Sequence, residues 1–227
     1  VVPVGKGDDA WRLLIPDFSV LGSEDEVIIV TPEKLREEFL RLAQSNQLKC
    51  KLQWAPSQLG RGAQLNTGER WATNEYVWFL HADSRLPPRA IERLKESIAS
   101  APNVVHFFDL KFMGDGPFFT ALNEFGVWLR SRILRLPFGD QGLSLHRSQL
   151  RLLGGFSESV RYGEDHLLVW AAHRNGIRLK CVGTHLFTSA RKYANNGWTR
   201  TTLSHLALTI KQAAPEVLRC MGVGRRA

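Results

Sequence analysis

Three short segments of the chain combine residue types that could do chemistry together. The first is Phe79-Leu80-His81-Ala82-Asp83-Ser84-Arg85, a carboxylate directly after an apolar run. A hard, oxygen-seeking cation such as Mg²⁺ needs only one or two protein carboxylates when phosphates supply its other ligands. Asp83 equally suits a turn cap ahead of Pro87-Pro88. The second is Gly163-Glu164-Asp165, two adjacent carboxylates where a helix should begin. The positive helix end favours them there without further function, and either is a general base if it comes within about 3 Å of a hydroxyl. The third is Gly60-Arg61-Gly62-Ala63-Gln64-Leu65-Asn66-Thr67-Gly68. Backbone N–H groups at a helix start, together with an arginine, make a cradle for phosphate. The same residues also read as an ordinary loop with an exposed arginine.

Several other chemistries are excluded. There is no phosphate-binding G-x-x-x-x-G-K-[ST], no dinucleotide G-x-G-x-x-G between a strand and a helix, no H-E-x-x-H and no G-x-S-x-G. The seven histidines show no metal-ligand spacing. No nucleic-acid-binding module stands out, so no nucleic-acid partner is expected.

The elements that must position these segments alternate along the first half. Residues 1–4 suggest a short strand and 27–30 a stronger one, β-branched at every position. Thr31 and Pro32 then suit the N-cap and first turn of a helix, with Glu33 near its positive end and Leu35, Phe39 and Leu42 on its buried face. Strands are expected over 49–54, 76–80 and 104–110, and helices over 61–72 and 87–99. Strand and helix in alternation with short loops predict a mostly parallel sheet covered on both faces, whose ligands sit beyond the carboxyl ends of the strands. Further on, Phe118, Leu122, Phe125, Leu129 and Ile133 recur at helical spacing. That stretch is expected to pack on the sheet, or else to form an apolar acceptor site. A small strand and helix lead to Gly154-Gly155-Phe156, a helix runs from 163 to about 174, and a last helix covers 199–213 before the tail Arg225-Arg226.

Six motifs in this order resemble family 2 glycosyltransferases of the GT-A fold. They are Gly-Arg-x-x-Gln-x-Asn-x-Gly at 60–68, Phe-Leu-His-Ala-Asp at 79–83, Gly-Asp-Gln-Gly at 139–142, Gly-Gly-Phe at 154–156, Glu-Asp at 164–165 and Thr-Ser-Ala-Arg at 188–191. The likeness is strongest to the small bacterial branch whose members neighbour radical-SAM enzymes, and it spans residues 60–205. It implies a Rossmann-like α/β domain over 1–198, with a donor half to about 110, an acceptor half from 111 and a C-terminal helical arm over 199–227. It further implies that Asp83 is the metal-binding aspartate of the D-x-D element, with His81 in the first place, holding Mg²⁺ or Mn²⁺. Asp165 would be the catalytic base. Pro3, Arg61, Gln64, Asn66, Ala82, Asp83 and Arg191 would face the nucleotide-sugar donor, and Asp140, Gln141 and Glu164 the acceptor. The expected outcome is transfer with inversion.

The chain departs from that family at two places. Pro3 leads into Val4-Gly5-Lys6-Gly7-Asp8 rather than an Asn-Glu pair. Thr31 stands where the second strand usually ends in the aspartate that holds nucleobase and ribose; a hydroxyl replaces one hydrogen bond but not a charged acceptor. The missing carboxylate leaves room for a lapsed relative, a binding or scaffold protein that keeps the fold and has lost the donor pocket. A nucleotidyltransferase of similar architecture is the third reading, opposed by the lack of a Gly-x-Arg loop after the first strand.

Composition fits such a domain. The 227 residues are 44% hydrophobic and 23% charged, ordinary globular values. Three cysteines with no C-x-x-C pair, and no evident leader, suggest a reduced cytoplasmic protein. No apolar run approaches the roughly 20 residues of a bilayer span. Residues 1–100 hold 13 Lys+Arg against 14 Asp+Glu, whereas 101–227 hold 17 against 8, so the whole +8 excess lies in the second part. Arg191 and Lys192 beside a diphosphate would absorb some of it. Arg130, Arg132, Arg135, Arg225 and Arg226 point instead to an anionic or lipid-linked acceptor and to peripheral contact with the inner face of a membrane.

Overall fold

Strand β2 (Glu26–Thr31) is buried on both sides along nearly its whole length, the behaviour expected of a β-branched run inside a covered parallel sheet. In the computed structural model, which describes residues 1–32 and 35–220, it lies between β1 (Val2–Pro3) and β3 (Lys51–Pro56), parallel to both. A second, mixed sheet has the order β4-β7-β6-β8-β5, from β4 (Tyr76–Trp78), β5 (Ser84–Arg85), β6 (Val105–Phe112), β7 (Ser144–His146) and β8 (Leu179–Thr188). The Val1 nitrogen donates to the Trp78 carbonyl at 2.8 Å and the Leu80 N–H to the Val1 carbonyl at 3.0 Å. These two bonds set β1 beside the end of β4 and join both sheets into one surface.

Alternation along β2 decides the layers. Val27 and Ile29 point into one core with Trp11, Phe39 and Leu94, carried by α1 (Trp11–Leu14), α2 (Arg36–Ser45) and α4 (Ala90–Ser100). Ile28 and Val30 point into the other with Leu65, Leu150 and Leu168, from α3 (Arg61–Trp71), α6 (Arg147–Leu152) and α7 (Glu164–Arg174). Helices therefore cover both faces, as the alternating sequence predicts.

The structure corrects several expectations. Thr31 does not cap a helix: it is the last residue of β2, fully buried, and α2 begins only at Arg36. Leu35, Phe39 and Leu42 still pack on the first core, while Glu33 lies outside the described residues. Residues 11–20 form α1 and a 3-10 turn (Ile15–Val20) that the sequence reading passed over. Trp11 anchors them, edge-on to Phe39 and Trp54 at 6.3 and 6.2 Å. Strand β8 was also missed; its side chains are mostly half-buried, and it is defined by its parallel register with β6 rather than by a hydrophobic period. The strands added after residue 76 bring antiparallel pairs, β4 with β7, β6 with β7 and β5 with β8.

The largest correction concerns residues 118–133. Helix α5 (Thr120–Trp128) and the π-helical turn after it (Leu129–Ile133) do not lay their apolar stripe on the sheet. Phe118, Leu122, Phe125, Leu129 and Ile133 are all exposed. The last helix is also longer than expected: α8 (Arg191–Asn196) leads into α9 (Trp198–Cys220), which carries Pro215 inside it. Arg225 and Arg226 lie outside the described residues.

Candidate active site

Four loops converge at the ends of the central strands. Gly60 precedes α3 with φ +128°, a conformation that favours glycine, and so lets the chain turn sharply from β3 into Arg61. The Arg61 guanidinium reaches the start of α7, with Nε 2.6 Å from Glu164 Oε1, and its Nη2 meets His81 Nε2. His81 follows β4, and its Nδ1 stands 3.9 Å from Asp83 Oδ1. The Gly139 N–H, in the 3-10 turn Gly139–Gln141, donates to Asp165 Oδ2, and the His166 N–H donates to Asp165 Oδ1 at 2.8 Å. A methyl group on Gly139 would sit 2.5 Å from Asp165 Oδ2, 3.1 Å from His81 Nε2 and 3.2 Å from Arg61 Nη2. Four of the six sequence motifs thus meet around one hydrogen-sized gap.

The electrostatics are those of a desolvated site with competing carboxylates. Burial, reinforced by Asp165, pushes Glu164 above its ordinary range, against the pull of Arg61. Burial also raises Asp140, with Arg130 opposing and Asp165 adding. Asp83 is raised by burial and by Asp8, while Lys192 and Arg191 pull it down. Burial, Arg61 and Lys192 hold the His81 imidazole well below its usual range, so it is neutral. Because Nε2 accepts from Arg61, the proton belongs on Nδ1, the atom facing Asp83. In this arrangement His81 orients Arg61 and offers no lone pair toward Asp83.

Other predicted site residues are placed differently. Gln64 is buried and donates to the Val4 and Val30 carbonyls at 2.7 and 3.0 Å, tying α3 to the ends of β1 and β2. Asn66 donates to the Phe156 carbonyl and Glu158 Oε1 at 2.8 Å each and accepts from the Phe156 N–H at 2.8 Å, clamping the Gly154–Phe156 loop onto α3. Gln141 is fully buried, donating to the Phe108 carbonyl at 2.9 Å. Pro3 is buried at the end of β1, and Ala82 is buried in the turn between β4 and β5. Asp83 and Arg191 line one small cleft with Asp115 and Ser189, and Asp115 holds the loop by accepting from Ser189 Oγ at 2.6 Å and the Ala190 N–H at 2.8 Å. A larger, mostly apolar cavity at the start of β2 and β4 shares none of these residues.

Arg130 lies nearer the cluster than its sequence position suggested. The sequence reading left it outside the site, with Arg132 and Arg135. Instead its guanidinium lies 3.3 Å from the Phe138 ring centroid, donates to Gln141 Oε1 at 3.2 Å, and sits within electrostatic reach of Asp140 and Asp165. The wide π turn that carries it is a geometry often found at functional sites. A signal existed: Asn123, Arg130 and Ser131 share the side of the helix opposite the apolar stripe. Arg132 is held by Asp109 at 2.6 Å, leaving Arg135 exposed. Asp140 Oδ1 and Arg130 Nε are buried without a hydrogen-bond partner, an arrangement that costs free energy unless a bound group or water satisfies them.

The gap at Gly139 makes a specific prediction. Gly139→Ala is expected to change unfolding free energy by less than about 1 kcal/mol, since the crowded atoms are the ends of flexible side chains. It should nonetheless displace Asp165 enough to slow catalysis on the order of 10²-fold. Paired denaturation and rate measurements check both halves.

Comparison with known proteins bears on the whole arrangement. The model of glycosyl transferase family 2 matches residues 19–151. TarS of S. aureus, solved with UDP-GlcNAc, superposes with a TM-score of 0.62 at 18% identity, covering 83% of this chain and 57% of that one. The mannosyltransferase PcManGT of Pyrobaculum calidifontis, solved with GDP-Man and Mn²⁺, gives 0.65 at 20% identity, covering 94% and 63%. The chain therefore spans less than two thirds of either protein. At these identities the likeness shows the fold, GT-A, with its mixed α/β sheet between helical layers. No curated protein sequence shows a significant match.

Proposed function

The chain belongs to glycosyl transferase family 2, and from that membership we propose that it moves a sugar from a nucleoside-diphosphate donor to an acceptor hydroxyl with inversion. The observation that carries the reading is the meeting of Arg61, His81, Glu164 and Asp165 around Gly139. Residues from far-apart segments supply a candidate base and a cation within one cluster, and Asp83 stands beside His81 at its edge.

The roles follow from residue chemistry. Asp165 accepts the proton of the acceptor hydroxyl as its oxygen attacks the anomeric carbon. The bond from that carbon to the diphosphate breaks, and the electron pair leaves with the phosphate oxygen. The Gly139 and His166 N–H groups each occupy one lone pair of Asp165, which orients the carboxylate and leaves it capacity for the proton. Glu164 fixes Arg61, which His81 holds from the other side; Arg191 and Lys192 add positive charge where the diphosphate would lie. Asp83 would hold Mg²⁺ or Mn²⁺: it is a hard oxygen donor, raised chiefly by burial and next by Asp8, and a bound cation would offset both. Among the described residues no cluster of three or more His, Cys, Asp or Glu forms a metal cage; phosphate and water oxygens would supply the remaining ligands. The bound ion would neutralise charge developing on the diphosphate. On the donor side Pro3, Gln64, Asn66 and Ala82 shape the pocket through the backbone they hold, while Asp140, Gln141 and Arg130 form the acceptor side. With His81 in the first place of the D-x-D element, we read the chain as a member of the branch that neighbours radical-SAM enzymes. Its acceptor is read as anionic or lipid-linked, reached in the cytoplasm at a membrane surface.

Thermal denaturation with UDP or GDP, with and without Mn²⁺, tests the donor side. At a hundred times Kd, binding should stabilise by about 2.7 kcal/mol, and Asp83→Ala should remove the metal-dependent part. Thr31 favours a second reading, a lapsed binding protein, because the strand-end carboxylate is absent. That reading expects no shift with either nucleotide, a result that would take most of the support from the transferase; a metal-dependent shift would count against it.

A further inference from the structure

We infer that the outer face formed by α5, its π turn and α9 docks on an anionic lipid bilayer. Both helices are amphipathic in the inverted sense, with polar residues inward and apolar residues outward. On α5, Asn123 and Glu124 make internal bonds, Asn123 to Thr202 Oγ1 at 3.1 Å and Glu124 to the Phe112 N–H at 2.7 Å. Meanwhile Phe118 is 91% exposed and Leu122, Phe125 and Ile133 about 60%. On α9, Thr201 and Glu216 are buried, the latter paired with Arg174 and Arg219. Leu203, Leu206 and Ile210, on the opposite side, are more than half exposed. The two helices are joined where Trp198 Nε1 donates to Asn123 Oδ1 at 2.5 Å and Phe119 packs on Trp198 at 5.5 Å. Both helices therefore turn apolar side chains outward, and in greater number than the scattered exposed apolar residues normal for a monomer.

Charge selects the occupant. Residues 117–135 and 190–220 contain eight Lys+Arg and only two acids, Glu124 and Glu216. Neither acid is exposed, whereas Arg135, Arg191, Lys192, Arg200 and Lys211 are. A second copy laid face to face would bring these cations against one another. A bilayer with anionic headgroups accepts both the apolar stripe and its basic rim. Among the described residues no helix is long and apolar enough to cross a membrane, so the contact is interfacial. The same turn that exposes Leu129 and Ile133 carries Arg130 inward to the acceptor carboxylates, so docking would bring that side of the cluster to the lipid surface. That consequence rests on the transferase reading; the docking itself does not.

Co-sedimentation of the full chain with vesicles tests the inference. Binding is expected to vesicles of equal phosphatidylglycerol and phosphatidylcholine, with a blue shift of tryptophan fluorescence that Trp128→Phe diminishes, and to be much weaker with phosphatidylcholine alone. Phe125→Ser and Ile210→Ser should each weaken it about tenfold while leaving the melting temperature unchanged, since both side chains point outward. Lys211→Gln should lower the preference for anionic lipid a few-fold. Asp165→Asn should bind vesicles as the parent chain does, so loss of transfer and loss of docking are read separately. The inference falls if the anionic vesicles leave the protein in solution, or if the two serine variants bind undiminished. It falls equally if sedimentation equilibrium shows a dimer that Phe125→Ser dissociates.

Discussion

Asp165→Asn is expected to lower transfer by about 10²- to 10⁴-fold, the range for loss of a positioned general base, while metal-dependent nucleotide binding persists. The substitution keeps shape and removes the proton acceptor. One amide oxygen can serve the Gly139 or the His166 N–H, not both, so a charge-assisted hydrogen bond is lost. Removing one of three neighbouring acidic charges, beside Glu164 and Asp140, offsets that cost. Net stability should therefore change little. Turnover and nucleotide-dependent melting, measured on the same preparation, separate the possibilities. Equal loss of both would make Asp165 a structural or metal-bound group rather than the base.

Arg61→Met should cost more stability than any other single change in the cluster, roughly 2–4 kcal/mol near neutral pH. Glu164 is 3% exposed and Arg61 stands 2.6 Å from it. Methionine fills similar volume and strands a buried carboxylate. The pH dependence carries a definite sign. Glu164 is already raised by burial and Asp165, and without Arg61 it rises further. A carboxyl group with its folded pKa above the unfolded value binds more protons in the native state, so stability falls as pH rises between the two values. The variant's deficit should therefore be smallest at acid pH and grow through the upper carboxylate range to a plateau. Denaturant unfolding across pH checks this; a deficit independent of pH would mean that Glu164 is not the group left unpaired. Transfer should fall as well, because Arg61 also braces His81.

Much of the fold was legible before any coordinates. The β-branched run of β2, the glycine-rich start of α3 and the carboxylates opening α7 each carry a local signal that tertiary contacts reinforce. Thr31 shows where that logic fails. Threonine followed by proline is a sound helix start in isolation, but pairing of Thr31 with Pro56 in the neighbouring strand kept it in β2. Strand β8 had no periodic pattern because its register comes from β6, a partner distant in the chain.

The sequence by itself determined which groups the protein has for chemistry: a carboxylate after β4, an acidic pair at a helix start and an arginine after glycine, in an order that already resembled family 2. Those are properties of residue type and short-range spacing, and they survive any packing. Only the tertiary structure decided how the groups are spent. Gln64 and Asn66 were expected at the donor, yet their amides are bound within the protein, because buried backbone groups needed partners. Arg130 turned inward and the Phe118–Ile133 stripe outward, because a helical period says that two faces differ and not which one meets the sheet. That choice depends on what the neighbouring elements already bury. Here the polar side of α5 met Phe112, Thr202 and Trp198, and the apolar side was left to face outward.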